Sequence, residues 1–235
     1  MIRIENLSVR FGGVRPLDDL SADLKASIVG LIGPNGAGKT TLLNVLSGFV
    51  RPLKGQITMN GLALTGLSPA RRVALGLRRI FQQEMVVDEL SLRDNVQAVA
   101  DHVVLDRKMR RAEVDRALAF VGMAGGWDRP GRTLNLFERR MVEIAKTILG
   151  QPKVVLMDEP GAGLNEAEAQ QLRTVLLGIP ETFGTQLVLI DHDADLIAAV
   201  CIETLVLDFG KRLALGPTRM ALDDPAVRRA YLGSA

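Results

Sequence analysis

Nine consecutive residues, Gly33-Pro34-Asn35-Gly36-Ala37-Gly38-Lys39-Thr40-Thr41, carry the strongest chemical signal in the chain. They read G-x-x-x-x-G-K-T, a phosphate-binding loop. Gly36 and Gly38 let the backbone take positive φ and approach a ligand closely. The successive N–H groups then form an anion nest at a helix N-terminus. Lys39 can reach β- and γ-phosphates, and the Thr40 hydroxyl can face Mg²⁺. The pattern requires a strand before it and a helix after it. Ile28-Val29-Gly30-Leu31-Ile32 is a fitting apolar strand, and Thr41-Leu42-Leu43-Asn44-Val45-Leu46 has helical spacing.

Further polar residues stand at the ends of other apolar runs. Asp158 and Glu159 follow Val154-Val155-Leu156-Met157. The first is placed to hold Mg²⁺ through water, the second to polarise an attacking water as general base. Solvated acids at a strand end are common, so this pair gains meaning from the phosphate loop. His192 follows Leu187-Val188-Leu189-Ile190-Asp191 and can contact a γ-phosphate; on its own it reads as a surface histidine. Gln82 or its neighbour Gln83 can touch Mg²⁺ and the attacking water. Phe11 can stack on adenine or fill the core as a strand phenylalanine. His102 has no such setting. Cys201 reads as a small buried hydrophobe. The basic run Arg107, Lys108, Arg110, Arg111 and Arg116 reads as a solvated helix face, with anionic-lipid contact the lesser reading.

These residues need a frame. The 235 residues suffice for one large domain with an inserted subdomain. A net charge of +2 gives no whole-protein field toward nucleic acid. One cysteine excludes an internal disulfide. No signal peptide and no apolar run of about 20 residues is visible, so a soluble or peripheral protein is expected. Ile2 to Phe11 and Leu17 to Leu24 alternate like half-buried antiparallel strands, with Gly12-Gly13 between them. Gln56 to Asn60 and Arg79-Ile80-Phe81 read as further strands. Ser68-Pro69 opens a short helix. From Glu84 to Gly150 strand patterns vanish. Helices are expected from Ser91, over Asp106 to Val121 and over Glu138 to Leu149. The core resumes with strands at 154–157 and 187–190 and helices over 166–177 and 194–200. A terminal hairpin and a short helix over 225–232 complete it. Apolar strands alternating with helices imply a parallel sheet buried on both faces. Ligands of such sheets bind at the strands' carboxyl ends, where the loop, Asp158-Glu159 and Asp191-His192 all fall.

The order of these motifs resembles the ATP-binding subunit of ABC transporters over essentially the whole chain. The resemblance implies an α/β, P-loop NTPase fold of the ABC ATPase type. It has a mostly parallel core with an antiparallel β subdomain (residues 1–83 and 151–235) and an inserted α-helical subdomain (84–150). It assigns Phe11 to adenine and favours Gln82 over Gln83 as the Q-loop residue. It places Thr40, Gln82 and Asp158 on the metal, and Glu159, His192 and Lys39 in catalysis. Gly161-Ala162-Gly163-Leu164-Asn165 matches the D-loop. Val9 to Gly13, Asp158 to Asn165 and Ala230-Tyr231-Leu232-Gly233 are similar to ATPases of branched-chain amino-acid importers, a branch shared with urea and amide importers.

One motif departs. The family signature L-S-G-G-Q aligns with Leu134-Asn135-Leu136-Phe137-Glu138, so the serine is Asn and both glycines are bulky. In the family this segment grips ATP held by a second subunit. Asn135 and Glu138 still make a helix cap and its N3 partner, so the helix N-terminus is retained. Room for close backbone approach is lost. A homodimer would contain two altered composite sites, which favours a heterodimer; the alternative is that this variant works normally. The implied cofactors are ATP and Mg²⁺. The implied partners are permease subunits, a second ATP-binding subunit and, indirectly, a solute-binding protein, with no nucleic acid. The implied location is the cytoplasmic face of the membrane. An exporter ATPase, a soluble ABC ATPase acting on ribosomes or DNA, and a low-turnover nucleotide-switched module are the competing readings.

Overall fold

The computed structural model describes all residues except Gln83, Glu84, Leu105 and 233–235, together with the side chains of Tyr231 and Leu232. Alternation builds the first layer. β1 (Ile2–Phe11) and β2 (Val14–Leu24) pair antiparallel around the Gly12-Gly13 turn. β4 (Lys54–Met59) joins the other side of β1, and β5 (Leu62–Ala63) extends the order to β2-β1-β4-β5. Every second residue of β1 and β2 points inward, so Ile2, Ile4, Leu7, Leu17, Leu20 and Leu24 are buried.

The second sheet has six strands in the order β10-β9-β3-β8-β7-β6. β3 (Ile28–Ile32), β7 (Val154–Asp158) and β8 (Gln186–Ile190) are buried throughout, as unbroken apolar runs require. β6 (Leu77–Ile80) and β9 (Glu203–Asp208) are parallel to them, and β10 (Lys211–Pro217) closes one edge antiparallel to β9. The sheet separates two apolar cores. One joins its face to the antiparallel layer and to α1 (Lys39–Ser47). The other joins its opposite face to α3 (Leu92–Val103), α4 (Arg110–Phe120), α5 (Leu136–Ile148) and α6 (Glu166–Phe183). The segment expected to be helical is therefore helical, and it shares its core with the sheet. Its expected start at 84 lies outside the described residues.

Several boundaries differ from expectation. α4 begins at Arg110 rather than Asp106, because Asp106 caps the backbone of Lys108 in a preceding turn. α5 begins at Leu136, directly after the Asn135 cap. α6 continues to Phe183, six residues past the expected end and through Gly178 and Pro180. Packing explains this extension. The bare face of Gly178 lies against the Phe120 ring, Ile179 is buried, and Phe183 meets Phe120 edge-on at 4.9 Å. That burial outweighs the two poor helix formers. α2 (Pro69–Ala74) is capped by Ser68 as expected, and α7 (Ala194–Val200) by Asp193. α8 (Thr218–Asp223) was not foreseen. The final helical stretch is split into α9 (Pro225–Val227) and a π-helical turn at Arg228–Leu232.

Candidate functional site

The sheet order explains how distant motifs meet. β3, β8, β7 and β6 are parallel neighbours, so their carboxyl ends form one edge. The phosphate loop leaves β3, His192 follows β8, Asp158 ends β7, and Gln82 follows β6. Sequence alternation with helices dictates this convergence, since each parallel strand must be re-entered from the same end.

The phosphate loop is pinned from behind. A Cβ on Gly33 (φ +147°) would lie 2.1 Å from the Leu207 carbonyl oxygen, and one on Gly38 (φ +104°) 2.2 Å from that of Pro16. Backbone closeness thus demands glycine at both. Gly36 (φ +80°) faces open space and is required by its dihedral alone. Ala37 N–H donates to the Pro34 carbonyl, and the Ala37 carbonyl accepts from Gly210 N–H at 3.1 Å, tying the loop to the β9–β10 turn. Lys39 is buried. Its Nζ donates to the Gly33 and Pro34 carbonyls at 2.6 and 3.0 Å, which holds the ammonium within the loop's curve. Burial lowers its pKa, while Glu159 and Asp158 oppose that shift.

Three expected residues touch one another. The Glu159 carboxylate lies 2.8 Å from His192 Nε2 through Oε1, and accepts from Gln82 Nε2 at 3.2 Å through Oε2. Glu159 takes a left-handed backbone (φ +52°), a strain of about 1–3 kcal/mol for a non-glycine residue. Its N–H is locked to the Ile190 carbonyl at 2.8 Å, so β8 holds the turn that aims the carboxylate. Gln82 is the described glutamine of the pair; Gln83 lies outside the described residues. Thr40, Gln82 and Asp158 line one cavity of ≈550 Å³ with Arg79, Phe81 and Met85. A larger open groove of ≈930 Å³ lies between β1, β2 and the terminal hairpin and holds none of the motif residues. The smaller cavity is the chemically relevant one, because the polar groups converge there.

Asp158 is buried, and burial pushes its pKa up despite the nearby Arg79 guanidinium. Asp191 is likewise raised by burial. Its Oδ2 accepts from Gly161 N–H at 3.1 Å and its Oδ1 from Asp193 N–H at 3.0 Å. It therefore ties the 161–165 loop to the segment carrying His192. Phe11 is 53% exposed at the end of β1, which removes the core reading and leaves its face open to a planar ligand. Cys201 is buried and its thiol is pushed up to about 12.

The 135–138 segment forms the expected cap. Asn135 Oδ1 accepts from Glu138 N–H at 2.8 Å, and Glu138 Oε2 accepts from Asn135 N–H at 2.9 Å. Arg129 adds a two-pronged ion pair to Glu138 at 2.6 and 2.9 Å, which holds that carboxyl below its usual pKa. Leu136 is 40% exposed and sits against Gly163 of the 161–165 loop; Phe137 packs on the core. Neither this segment nor Phe11 shares the Gln82–Glu159–His192 network or the Thr40–Gln82–Asp158 cavity.

Sequence reasoning overlooked Arg79, Arg129 and the bracing role of Asp191. A signal for Arg79 exists. Two arginines inside a four-residue strand of a doubly covered parallel sheet need polar partners wherever they are buried.

The chain matches the family described as ABC transporter over residues 17–162. It is 33% identical to the high-affinity branched-chain amino acid transport ATP-binding protein LivG of Salmonella typhimurium, covering 100% of this chain and 98% of that protein. It is 29% identical to the lipopolysaccharide export system ATP-binding protein LptB of Haemophilus influenzae, over 99% and 97% of the two chains. Among solved structures, the ADP conformation of MJ1267, an ATP-binding cassette of an ABC transporter, superposes with a TM-score of 0.88. The match covers 100% of this chain and 99% of that one at 24% identity, and it supports the fold. Strand–loop–helix geometry, convergent strand ends and full-length relatives agree: the chain belongs to the ABC transporter family, as an ATP-binding subunit that hydrolyses ATP.

Proposed function

We propose that this chain powers an importer of branched-chain amino acids or a related small polar solute, by ATP-driven closure against a second ATP-binding subunit. The observation that carries the catalytic part is the contact of Glu159 with both Gln82 and His192 at the edge where the phosphate loop ends. In this reading the 33–41 loop and Lys39 hold the phosphates of ATP, and Phe11 stacks on the adenine. Glu159 accepts the proton of the attacking water, and His192 orients it. Charge stabilisation by Lys39 and the loop amides supplies most of the acceleration.

Mg²⁺ fits the same cavity. Thr40, Gln82 and Asp158 offer oxygen atoms there, and Asp158 Oδ1 has no hydrogen bond among the described residues. No cluster of three or more His, Cys, Asp or Glu side chains exists among the described residues. That suits an ion which keeps several waters and takes its remaining ligands from phosphate. Bound there, Mg²⁺ would neutralise charge on the phosphate oxygens.

No helix among the described residues is long and apolar enough to cross a membrane, so transport requires separate permease subunits. Exposed Phe49, Phe81, Val73 and Met85 beside the Gln82 cavity offer those subunits an apolar contact at the membrane's cytoplasmic face. The helical part, 84–150, relays the motion. A solute-binding protein acts upstream of the permease. The bulky Leu136 and Phe137 favour a heterodimer, in which a partner with a glycine-containing signature completes this chain's ATP site. A second reading, an exporter ATPase, is favoured by the similarity to LptB.

The test is uptake and hydrolysis by the reconstituted complex carrying Glu159→Gln in this chain. The expected result is normal ATP binding, loss of most hydrolysis and loss of solute uptake. Hydrolysis near wild type would defeat the proposal that this chain's site is the productive one.

A further inference from the structure

The Arg79 guanidinium joins three segments of the site. Its side chain is 6% exposed and lies 3.2 Å, through Nη2, from Asp158 Oδ2. Through Nη1 it donates to Asn44 Oδ1 at 2.6 Å and to Ser47 Oγ at 2.9 Å, both on α1, the helix that begins at Lys39. Ser47 Oγ is itself committed to the Leu43 carbonyl. The guanidinium also lies 4.8 Å from the Phe81 ring, the residue before Gln82, and Phe81 is held edge-on by Phe49 at 5.7 Å. Arg79 Nε is buried with no partner among the described residues.

That arrangement is poor as a stabilising device. A buried ion pair recovers its desolvation cost only when every polar atom is satisfied, and a well-packed apolar pair often does as well. It is well suited to orientation. A planar fork fixes directions that an ammonium cannot, and here both prongs are held by a helix before the carboxylate is met. Asp158 is thereby gripped by one oxygen, with its other oxygen turned free of that contact.

We propose that Arg79 is a positioning residue: anchored on α1 by Asn44 and Ser47, it fixes the Asp158 carboxylate so that Mg²⁺ binds with ATP at the Thr40–Asp158 cavity. The proposal rests on the assignment of Asp158 to the metal. Two opposite effects compete. Arg79 repels a cation and preorganises the carboxylate that recruits it. Orientation dominates, because one Asp158 oxygen already offsets the guanidinium charge while the other is aimed.

The experiment titrates Mg²⁺ against binding of a fluorescent ATP analogue to the purified full chain, without any turnover. Binding in EDTA and the melting temperature report folding. For Arg79→Gln the expected half-point in Mg²⁺ rises about tenfold, with EDTA binding within about twofold of wild type. Arg79→Lys keeps the charge, loses the fork, and falls between the two. Asn44→Ala loosens the anchor without touching Asp158 and raises the half-point about threefold; it carries the test if Arg79→Gln does not fold. Asp158→Asn is the reference. If Asp158→Asn weakens Mg²⁺ dependence but the Arg79 and Asn44 variants leave it unchanged, the positioning role is overturned. A half-point that falls in Arg79→Gln overturns it too, since Arg79 would then act as a competitor of the cation. If Asp158→Asn itself changes nothing, the metal assignment fails, and the role of Arg79 fails with it.

Discussion

At the scale of single residues, the site is built from atoms that leave no room for alternatives. Gly38 shows this best. Its φ of +104° is open to glycine, and a methyl group there would stand 2.2 Å from the Pro16 carbonyl oxygen. Pro16 belongs to β2, which cannot retreat because Leu17 is buried beside it. A Gly38→Ala variant must either displace the loop or shift the hairpin. The expected outcome is loss of ATP binding by at least about 100-fold, corresponding to about 3 kcal/mol, with a lowered melting temperature. Equilibrium binding of ATP checks it. Gly36→Ala, with open space at its Cβ, should bind ATP better than Gly38→Ala in the same assay, because strain at φ +80° is its only penalty. The glycine pattern was legible in the sequence, but the difference between the two glycines was not. It depends on Pro16, a residue that no spacing rule connects to the loop.

Elements carry the second lesson. Strands were legible because an unbroken apolar run bounded by polar residues has one economical home, a doubly covered parallel sheet. Helix starts with side-chain caps were legible too: Ser68, Ser91 and Asn135 each accept an N–H from the first turn. Helix ends were less so, because α6 runs through Gly178 and Pro180 on the strength of contacts with Phe120. The end of α1 shows the same dependence on distant partners. Gly48 supplies a left-handed cap (φ +86°), but the exposed-looking Arg72 of α2 is in fact 2% exposed. It donates to the Val45, Leu46 and Leu67 carbonyls at 2.6, 2.7 and 3.1 Å. Burial lowers its pKa, so its charge is retained at a desolvation cost. Arg72→Met would leave these carbonyls unsatisfied at the end of the helix that presents Lys39. The expected loss is about 3 kcal/mol of stability, read as a drop of roughly 10 °C in melting temperature. A variant within 1 °C of wild type would show that water replaces the guanidinium there.

For the whole molecule, the question is how a site at one sheet edge reaches the helical part. Gln82 is bonded to Glu159, on the sheet side. The chain just beyond is bonded to the helices instead. Met85's carbonyl accepts from Lys146 Nζ of α5 at 2.8 Å, and Asp88 pairs with Arg139 at 2.5 Å. Buried Asn95 of α3 takes Val87 N–H at 2.8 Å and gives Nδ2 to the carbonyls of Val87, Leu90 and Ser91. The stretch 85–91 thus belongs mechanically to the helices, while Gln82 belongs to the nucleotide edge, and only residues 83–84 lie between. Any displacement of the helical part is delivered to Gln82 over that short span. Asn95 is the tightest of these ties and lies outside the catalytic network. Asn95→Ala should therefore separate coupling from chemistry. ATP binding and hydrolysis by the isolated chain should stay within about twofold of wild type, whereas permease-stimulated hydrolysis in the reconstituted complex should fall several-fold. Four lost hydrogen bonds at a buried amide correspond to about 2–4 kcal/mol, concentrated in a segment that can open locally without global unfolding. Hydrogen exchange across 85–91 should quicken correspondingly. Equal losses of isolated and stimulated hydrolysis would instead place Asn95 in the support of the nucleotide edge itself, and the transmission route would have to run through α5 alone.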